Sequence, residues 1–203
     1  KRRKKYRYYA GLQILTDSAF HLLKLPDLDE ICNYAGKILL QNVPNSVIVF
    51  SNINPETKKS KPHKFYGINE PKLFQLFEKT DFRPYESLVT LPQKEYNLLE
   101  KRTLIEYKGG FPAFINAIFP EKDANEINRV FKFENLYIIG LEQKENLSNS
   151  ILIISREKAD IPNKEFIEAF INLVSVVINR KYIEEELKNL NKTKDKFFSN
   201  YLS

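Results

Sequence analysis

The first apolar positions of the chain recur at alternating spacings of four and three residues. This spacing predicts a helix over residues 6–24 whose apolar side forms the seam of a coiled coil or a helical bundle. The seam positions are Tyr8, Leu12, Leu15, Ala19 and Leu22. Pro26 ends the pattern, because the residue before a proline avoids helical geometry.

A second helix is predicted directly after Pro26. Asp27 is a good N-cap, and Glu30 follows three residues later, which is the spacing of a capping box. One face of this helix then carries Leu28, Ile31, Cys32, Ala35, Ile38 and Leu39. We therefore expect Cys32 to be a buried small apolar residue and not a reactive thiol.

After residue 45 the pattern of apolar residues changes from one typical of helices to one typical of strands. Residues 46–53, SVIVFSNI, are rich in β-branched side chains and predict a largely buried strand. The polar residues 54–63 predict a turn, and residues 64–68 the returning strand of a long hairpin. The strongest strand patterns are residues 135–143 and 149–155, which predict an antiparallel hairpin joined by the polar residues ENLS.

The middle of the chain is less regular. It is predicted to hold a helix at 70–79, strands at 86–91 and 103–107, and a glycine turn with a short helix within 108–120. Leu73, Phe74, Leu76 and Phe77 form the apolar side of the first of these helices. Residues 126–134, NEINRVFKF, match no single pattern.

The last helix is predicted from residues 162–163 to the end of the chain. Its seam is Phe166, Ala169, Leu173, Val176, Arg180, Ile183, Leu187, Leu190, Lys194, Phe197 and Tyr201. The first half is apolar almost all round, as expected for a helix that covers a sheet, and the second half narrows to the seam. Such a long heptad pattern indicates a coiled coil that leaves the domain.

Length and composition indicate a folded protein with one sizeable domain and extra helix, or at most two small domains. The chain has 203 residues, of which 42% are hydrophobic, so a packed core is expected. No apolar stretch approaches the roughly 18 residues that a membrane span needs. No signal peptide is recognised, and the absence of Met indicates a piece of a longer chain, with membrane attachment of that parent left open.

The net charge of +6 is unevenly placed, since residues 1–7, KRRKKYR, hold six cations and no acid. Such a segment can mark nucleic-acid binding. We favour a solvated helix start or a segment on the cytoplasmic side of a membrane, because no basic face recurs along the chain.

Few residues of the chain suit metal or thiol chemistry. Cys32 is the single cysteine, so no internal disulfide can form and a reducing compartment is indicated. His21 and His63 stand in separate elements without ligand spacing, so no metal site is expected. We expect both histidines on the surface, His63 in the turn between two strands.

The order of elements resembles that of a GAF domain, with a PAS domain as the nearest alternative. The resemblance covers residues 22–180. It rests on two stretches, residues 25–50, LPDLDEICNYAGKILLQNVPNSVIVF, and residues 137–187, YIIGLEQKENLSNSILIISREKADIPNKEFIEAFINLVSVVINRKYIEEEL. It implies an α+β fold, an antiparallel sheet flanked by helices, with long N- and C-terminal signalling helices. The family's glycines in the last two strands are only partly kept, as Gly140.

The last ten residues, KDKFFSNYLS, resemble the start of the dimerisation and phospho-acceptor helix of sensor histidine kinases. In that family Lys-x-x-Phe-Phe-Ser precedes the modified histidine, and Ser203 stands where the histidine commonly falls. The resemblance implies three parts: an N-terminal signalling helix (1–24), a GAF-like sensory domain (25–180) and a coiled-coil linker into the dimerisation helix (181–203). Either the histidine follows residue 203 or the parent protein signals differently.

GAF domains bind cyclic nucleotides, tetrapyrroles, haem or small metabolites between the sheet and the variable middle, and many bind nothing known. This chain lacks the Asn-Lys-Phe-Asp-Glu signature of cyclic-nucleotide binders and a thiol in the middle segment for a bilin. What remains is an apolar pocket, with Tyr66, Phe111, Phe114 and Phe119 as candidate ligand-binding residues. The alternative is that these aromatics are simply core. No cofactor is expected, and an unknown small molecule stays open.

The function expected from the resemblance is a mechanical relay in two-component signal transduction. Two copies would join through parallel helices and pass a signal to a protein-histidine kinase domain and a response regulator in the cytoplasm. The dimer and signalling residues are Leu12, Leu15, Leu22, Leu173, Val176, Ile183, Leu187, Leu190 and Phe197. Arg180 and Lys194 would weaken this seam where a switch could act.

We find no catalytic constellation and expect neither enzyme activity from this chain nor nucleic-acid binding. Two rival classes are a methionine sulfoxide reductase of GAF type and a module that binds nucleic acid or a membrane surface through residues 1–7. A further alternative within the favoured class is a PAS-like or ligand-free GAF module that acts only as a dimerisation and structural relay.

Overall fold

The computed structural model describes the backbone of residues 2–201 and the side chains of residues 11–71, 73–75 and 77–198. Its helices are α1 (Arg2–Leu22), α2 (Leu28–Asn42), α3 (Glu70–Phe77), α4 (Gln93–Glu100), α5 (Gly110–Ile118), α6 (Glu121–Phe131) and α7 (Lys164–Tyr201). Its strands are β1 (Ser46–Asn54), β2 (Lys59–Tyr66), β3 (Val89–Thr90), β4 (Ile105–Glu106), β5 (Asn135–Gln143) and β6 (Asn146–Ser155). Several predicted features have side chains outside this description: the basic segment 1–7, Tyr8, Leu76, Tyr201 and Ser203.

The six strands form one antiparallel sheet in the order β3-β2-β1-β6-β5-β4. The two predicted hairpins, β1–β2 and β5–β6, lie side by side because β1 also pairs with β6, for example Ile48 with Ile153. The sheet is flanked by helices, and long helices stand at both ends of the chain. The predicted α+β fold is therefore confirmed.

Two separate cores lie on the two faces of the sheet, because successive side chains of a strand point to opposite faces. The helix-side core packs the sheet against α1, α2 and α7 and includes Ile48, Phe50 and Ile153. The cavity-side core packs the other face against α3 to α6 and includes Val49, Ile138 and Ile154.

The start of α2 has the local structure that its sequence predicts. The carboxylate of Asp27 accepts a hydrogen bond of 2.9 Å from the backbone N–H of Glu30, which satisfies one of the free donors of the first turn. The buried side of α2 carries Ile31, Cys32, Ala35 and Leu39.

Both predicted hairpins are tighter than the sequence indicates. The first turn ends at Lys58, because the Asn54 side chain accepts hydrogen bonds from the N–H groups of Glu56 and Thr57 and closes the chain early. β2 therefore begins at Lys59 and not at residue 64, and His63 lies inside a strand and not in a turn. The second turn is Lys144–Glu145, so β6 begins at Asn146 and not at residue 149.

Helices α4 and α6 were not predicted. α6 accounts for most of the unassigned residues 126–134, and its buried side is narrow: Asp123, Ala124 and Ile127. α4 buries Glu95, Tyr96 and Leu99. Each follows a proline, Pro92 or Pro120, that occupies the N-cap position. A short helix with a charged residue on its buried side does not give a clear apolar period.

α7 is a single helix of 38 residues. Its first half lies in the helix-side core through Ile167, Phe170, Ile171 and Val174, all fully buried. Beyond Ile178 the apolar side chains that the structure describes are largely exposed. Among the described residues no helix has the length and apolar character that crossing a bilayer requires.

Candidate functional site

A cavity of about 100 Å³ lies between the sheet and the layer formed by α3 to α6. Its floor is the sheet face that carries Val47, Val49, Ile138, Leu152 and Ile154. Its roof comes from α3, α5 and α6 and from the segment before β3, through Leu73, Ile115, Ile127 and Phe82.

Aromatic rings form much of the cavity wall and contact one another in pairs. The ring centroids lie 4.7 Å apart for Phe77 and Phe82 and 5.2 Å apart for Phe82 and Phe119. Phe111 and Phe133 are 5.3 Å apart in an edge-to-face arrangement. These are separations at which aromatic pairs attract, so the rings hold each other in place.

The cavity lining has almost no polar group. Its only polar side chains are the hydroxyls of Ser51, Ser60 and Ser150, and no charged side chain lines it among the described residues. A phosphate or carboxylate placed here would lose its hydration without gaining a cationic partner, which costs several kcal/mol or more, on the order of the values for buried unpaired ions. The lining therefore suits a small uncharged apolar molecule.

Three of the four predicted ligand residues, Phe111, Phe114 and Phe119, line this cavity. Tyr66 does not, because it lies on the opposite face of the sheet, and its neighbour Phe65 lines the cavity instead. Tyr66 packs against the helix-side core, donates a hydrogen bond of 3.0 Å to the side-chain oxygen of Asn33, and has its pKa raised by burial. The sequence places aromatics at both positions and does not say which faces the cavity.

His63 and Cys32 both lie away from the cavity. The His63 ring is half-buried beside Phe50 of the helix-side core, and the two ring centroids are 6.4 Å apart. Burial lowers the pKa of His63, and the positive charge of Lys64 lowers it further. Burial raises the pKa of the Cys32 thiol to about 11, and Asp29 adds to the rise. His21 is exposed on α1, with its ring 4.4 Å from that of Tyr34. Within the described residues no cluster of three or more metal-ligating side chains occurs.

Helix α4 touches the sheet at a position that only glycine allows. A Cβ on Gly140 would lie 2.2 Å from the carbonyl oxygen of Leu99, which is closer than any real contact. A buried pair anchors the same helix, since the Tyr107 hydroxyl donates a hydrogen bond of 2.6 Å to Glu95. The glycine was visible in the sequence, whereas the buried role of Glu95 had no signal there.

The predicted seam of α7 lies on the surface of the protomer. Exposed apolar side chains at these positions are Val176, Ile183, Leu187, Leu190 and Phe197, and Leu173 is half-buried against the helix-side core. Leu190 retains 61% of its accessible surface. Arg180, also a seam position, pairs with Glu184 of its own helix at 2.8 Å. This seam is therefore available to a second surface.

The predicted seam of α1 is divided between the core and the surface. Leu12 is exposed, Leu15 is half-buried against the helix-side core, and Leu22 is fully buried in it. Leu22 is therefore used inside its own protomer and cannot contact a second copy. Phe20 and Leu23, which the spacing of the seam did not include, are exposed instead.

Known proteins resemble this chain in structure, whereas comparisons of sequence find no match. No family model matches the chain, and no curated protein matches it significantly. A GAF domain of a phosphoenolpyruvate-protein phosphotransferase from Coxiella burnetii is similar in structure, with a TM-score of 0.62, 13% identity, and coverage of 89% of this chain and 96% of that one. A GAF domain/HD domain protein from Geobacter sulfurreducens has a TM-score of 0.58 and 12% identity, covering 80% and 98%.

A GAF domain of a two-component sensor histidine kinase from Bacillus halodurans is also similar. Its TM-score is 0.52 at 17% identity, and the match covers 80% of this chain and 98% of that one. At these identities the comparison establishes the fold. The resemblance predicted from the sequence is confirmed at this level: the chain has the fold of GAF domains.

Proposed function

We propose that this GAF-fold chain is a sensory or regulatory domain of a two-component signal transduction histidine kinase. In this proposal two copies pair through their terminal helices, and a ligand or a conformational change in the domain alters how the two α7 helices pack. The parent protein would then pass the signal through its kinase domain to a response regulator in the cytoplasm.

The exposed seam of α7 is the observation that carries this proposal. Five apolar side chains at heptad positions stay in water in the single protomer, although fully burying a leucine contributes about 1.5–3 kcal/mol. A second copy of the same helix covers such a stripe with itself, in the way of a parallel coiled coil. Leu12, Phe20 and Leu23 of α1, the other terminal helix, are exposed apolar side chains as well.

The cavity supplies a place for an input. It lies on the face of the sheet opposite to α7, so a ligand there would act on the helices through the sheet or around its edge. One structural neighbour is a domain of a sensor histidine kinase, and residues 194–203 resemble a dimerisation helix. Both observations support the choice of parent protein.

Sedimentation of the full chain tests the proposal. Leu187→Lys together with Leu190→Lys should lower the mass from dimer to monomer, since two charges would face each other in the seam. Lys192→Glu is the matched control, because position 192 lies opposite the seam in the heptad. A wild-type chain that is monomeric at all concentrations, or a double variant that stays dimeric, would contradict the proposal.

A second candidate function is a ligand-free relay that only joins and aligns the helices. The small cavity favours it, because ligand sites for drug-sized molecules usually have roughly 300–1,000 Å³ and this cavity has about 100 Å³. Ligand-binding measurements distinguish the two candidates, because only a sensor with a ligand site is stabilised by small apolar molecules.

A further inference from the structure

Residues 99–104, which we call the strap, connect the cavity-side core to the helix-side core. Leu99, near the end of α4, lines the cavity, whereas Leu104 lies in the helix-side core, and both are almost fully buried. The strap therefore passes from one face of the sheet to the other within six residues, next to β5, which α4 contacts.

The strap contacts three different parts of the domain. The carbonyl oxygen of Leu99 lies against β5 at Gly140. Arg102 forms an ion pair with Glu142, and its Nη2 donates a hydrogen bond of 2.8 Å to the carbonyl oxygen of Glu145. The N–H of Leu104 donates a hydrogen bond of 3.2 Å to the carboxylate of Glu168 on α7.

The turn between β5 and β6 continues this set of contacts to α7. Lys144 Nζ lies 2.6 Å from one carboxylate oxygen of Glu186 and 2.7 Å from the other. Glu186 comes two helical turns after Ile178, the last buried apolar residue of α7. Tyr182, one turn before Glu186, is the last described residue of α7 that packs against the helix-side core, so this ion pair contacts α7 just beyond the core.

The backbone of these residues is unfavourable for their types. Lys144 and Glu145 have φ values of 49° and 67°, as in a type I′ turn, where Asn-Gly is preferred. Arg102 also has a positive φ, 55°. Residues other than glycine, asparagine and aspartate rarely adopt this region. At each of the three positions a side chain or carbonyl makes the contact between strap, turn and α7.

We propose that the strap and the Lys144–Glu145 turn couple the cavity to helix α7. A displacement of Leu99 by a cavity occupant moves the strap, and the contacts of Arg102 and Lys144 carry the displacement to Glu186. Exposed ion pairs of this kind are individually weak, so they can break and re-form between two positions of α7. The inference rests on the proposed relay function and specifies its route.

The first test replaces the turn by one that suits its backbone. In the full chain, Lys144→Asn with Glu145→Gly should leave the hairpin at least as stable, because Asn-Gly favours a type I′ turn. Amides of residues 183–193 should nevertheless exchange hydrogen up to about fivefold faster, since the contact with Glu186 is lost and an exposed ion pair contributes up to about 1 kcal/mol. Glu186→Gln, which leaves the turn untouched, should have a similar effect, and Lys192→Asn is the control. Unchanged exchange in both test variants would overturn the proposal.

The second test starts from the cavity end. Leu99→Ala and Leu73→Ala remove the same groups from the cavity wall, but only Leu99 belongs to the strap. We expect Leu99→Ala alone to change the exchange of residues 183–193, and we expect the change to disappear when the Asn-Gly turn is also present. Equal effects of the two substitutions, or an effect that persists with the Asn-Gly turn, would contradict the coupling.

Failure of this inference can be separated from failure of the proposed function. All contacts of the strap and turn lie within one protomer, so the exchange of residues 183–193 reports on them in a monomer as well. Sedimentation of the same variants reports on pairing. A dimer with unchanged exchange in the turn variants refutes the coupling only, and a monomer with changed exchange refutes the relay only.

Discussion

The carbonyl oxygen of Leu99 lies directly over Gly140, so that a Cβ at position 140 would be 2.2 Å from it. This contact sets how closely α4 approaches the sheet and thereby the position of one wall of the cavity. It is also the first contact of the strap.

Gly140→Ala should destabilise the domain by about 1–3 kcal/mol, as overpacking in a filled core does. The added methyl group must push α4 away from β5. Gly11→Ala is the control, because its Cβ would meet only the Phe166 ring at 3.4 Å, and alanine in a helix is better than glycine by roughly 0.5–1 kcal/mol. Urea unfolding measures both. Equal behaviour of the two variants would contradict the close approach.

Leu22→Ala and Phe20→Lys should separate the two sides of α1. Leu22→Ala should lower the free energy of unfolding by about 2–5 kcal/mol, because Leu22 is fully buried in the helix-side core. Phe20→Lys should change stability little and weaken dimerisation, because Phe20 is an exposed apolar residue of a terminal helix that the proposal places in the dimer contact. Denaturation and sedimentation are measured for each variant. An intact dimer in Phe20→Lys would restrict the partner surface to α7.

Uncharged apolar probes should bind in the cavity, and charged analogues should not. Indole at about 100 times its Kd should stabilise the domain by about 2.7 kcal/mol, whereas indole-3-carboxylate should give no shift, because the described side chains that line the cavity include no charged group. Thermal unfolding with each probe measures the difference. If small apolar probes give no shift at saturating concentration, the ligand-free relay is the better description.

Stability should decrease as the pH falls below about 6.5, in part because of His63. Burial lowers the pKa of His63 in the folded chain, so the unfolded chain binds more protons between the folded and unfolded pKa values. One such proton changes the free energy of unfolding by at most about 1.4 kcal/mol per pH unit. His63→Asn should reduce the slope between pH 5 and 7 in urea titrations, and His21→Asn removes an exposed histidine as the control. An unaltered slope would show that the environment of His63 does not disfavour its charge.

Cys32 should not react with thiol reagents at pH 8 in the native domain. Its side chain is buried and burial raises its pKa to about 11, so little thiolate is present and access is blocked. The thiol should react at once in denaturing urea. Stoichiometric labelling of the native chain would reopen the reading of Cys32 as a catalytic residue of a methionine sulfoxide reductase.

Local patterns were sufficient for the elements that carry a long or complete signal. The heptad of α7, the capping pair of Asp27 and Glu30 and the apolar runs of β5 and β6 each depend on residues close in sequence. The resemblance to GAF domains rested on these same elements, which is why the fold could be predicted.

Contacts between distant residues decided the rest. Phe65 lines the cavity in place of the predicted Tyr66, because the pairing of β2 with β1 sets which side chain faces the cavity. This pairing includes an irregularity between Phe50 and Ser51. Leu22 is fully buried because it packs in the helix-side core, to which α2 and α7 also contribute.

The sequence by itself determined the helices and strands that have a clear periodic pattern. It also determined that α7 carries an apolar seam along its length. The tertiary structure decided which face of each element is covered, where the cavity lies, and that the strap joins its wall to α7. The physical reason is range: spacing along the chain sets a periodicity, but burial depends on which residues far along the chain pack against each face.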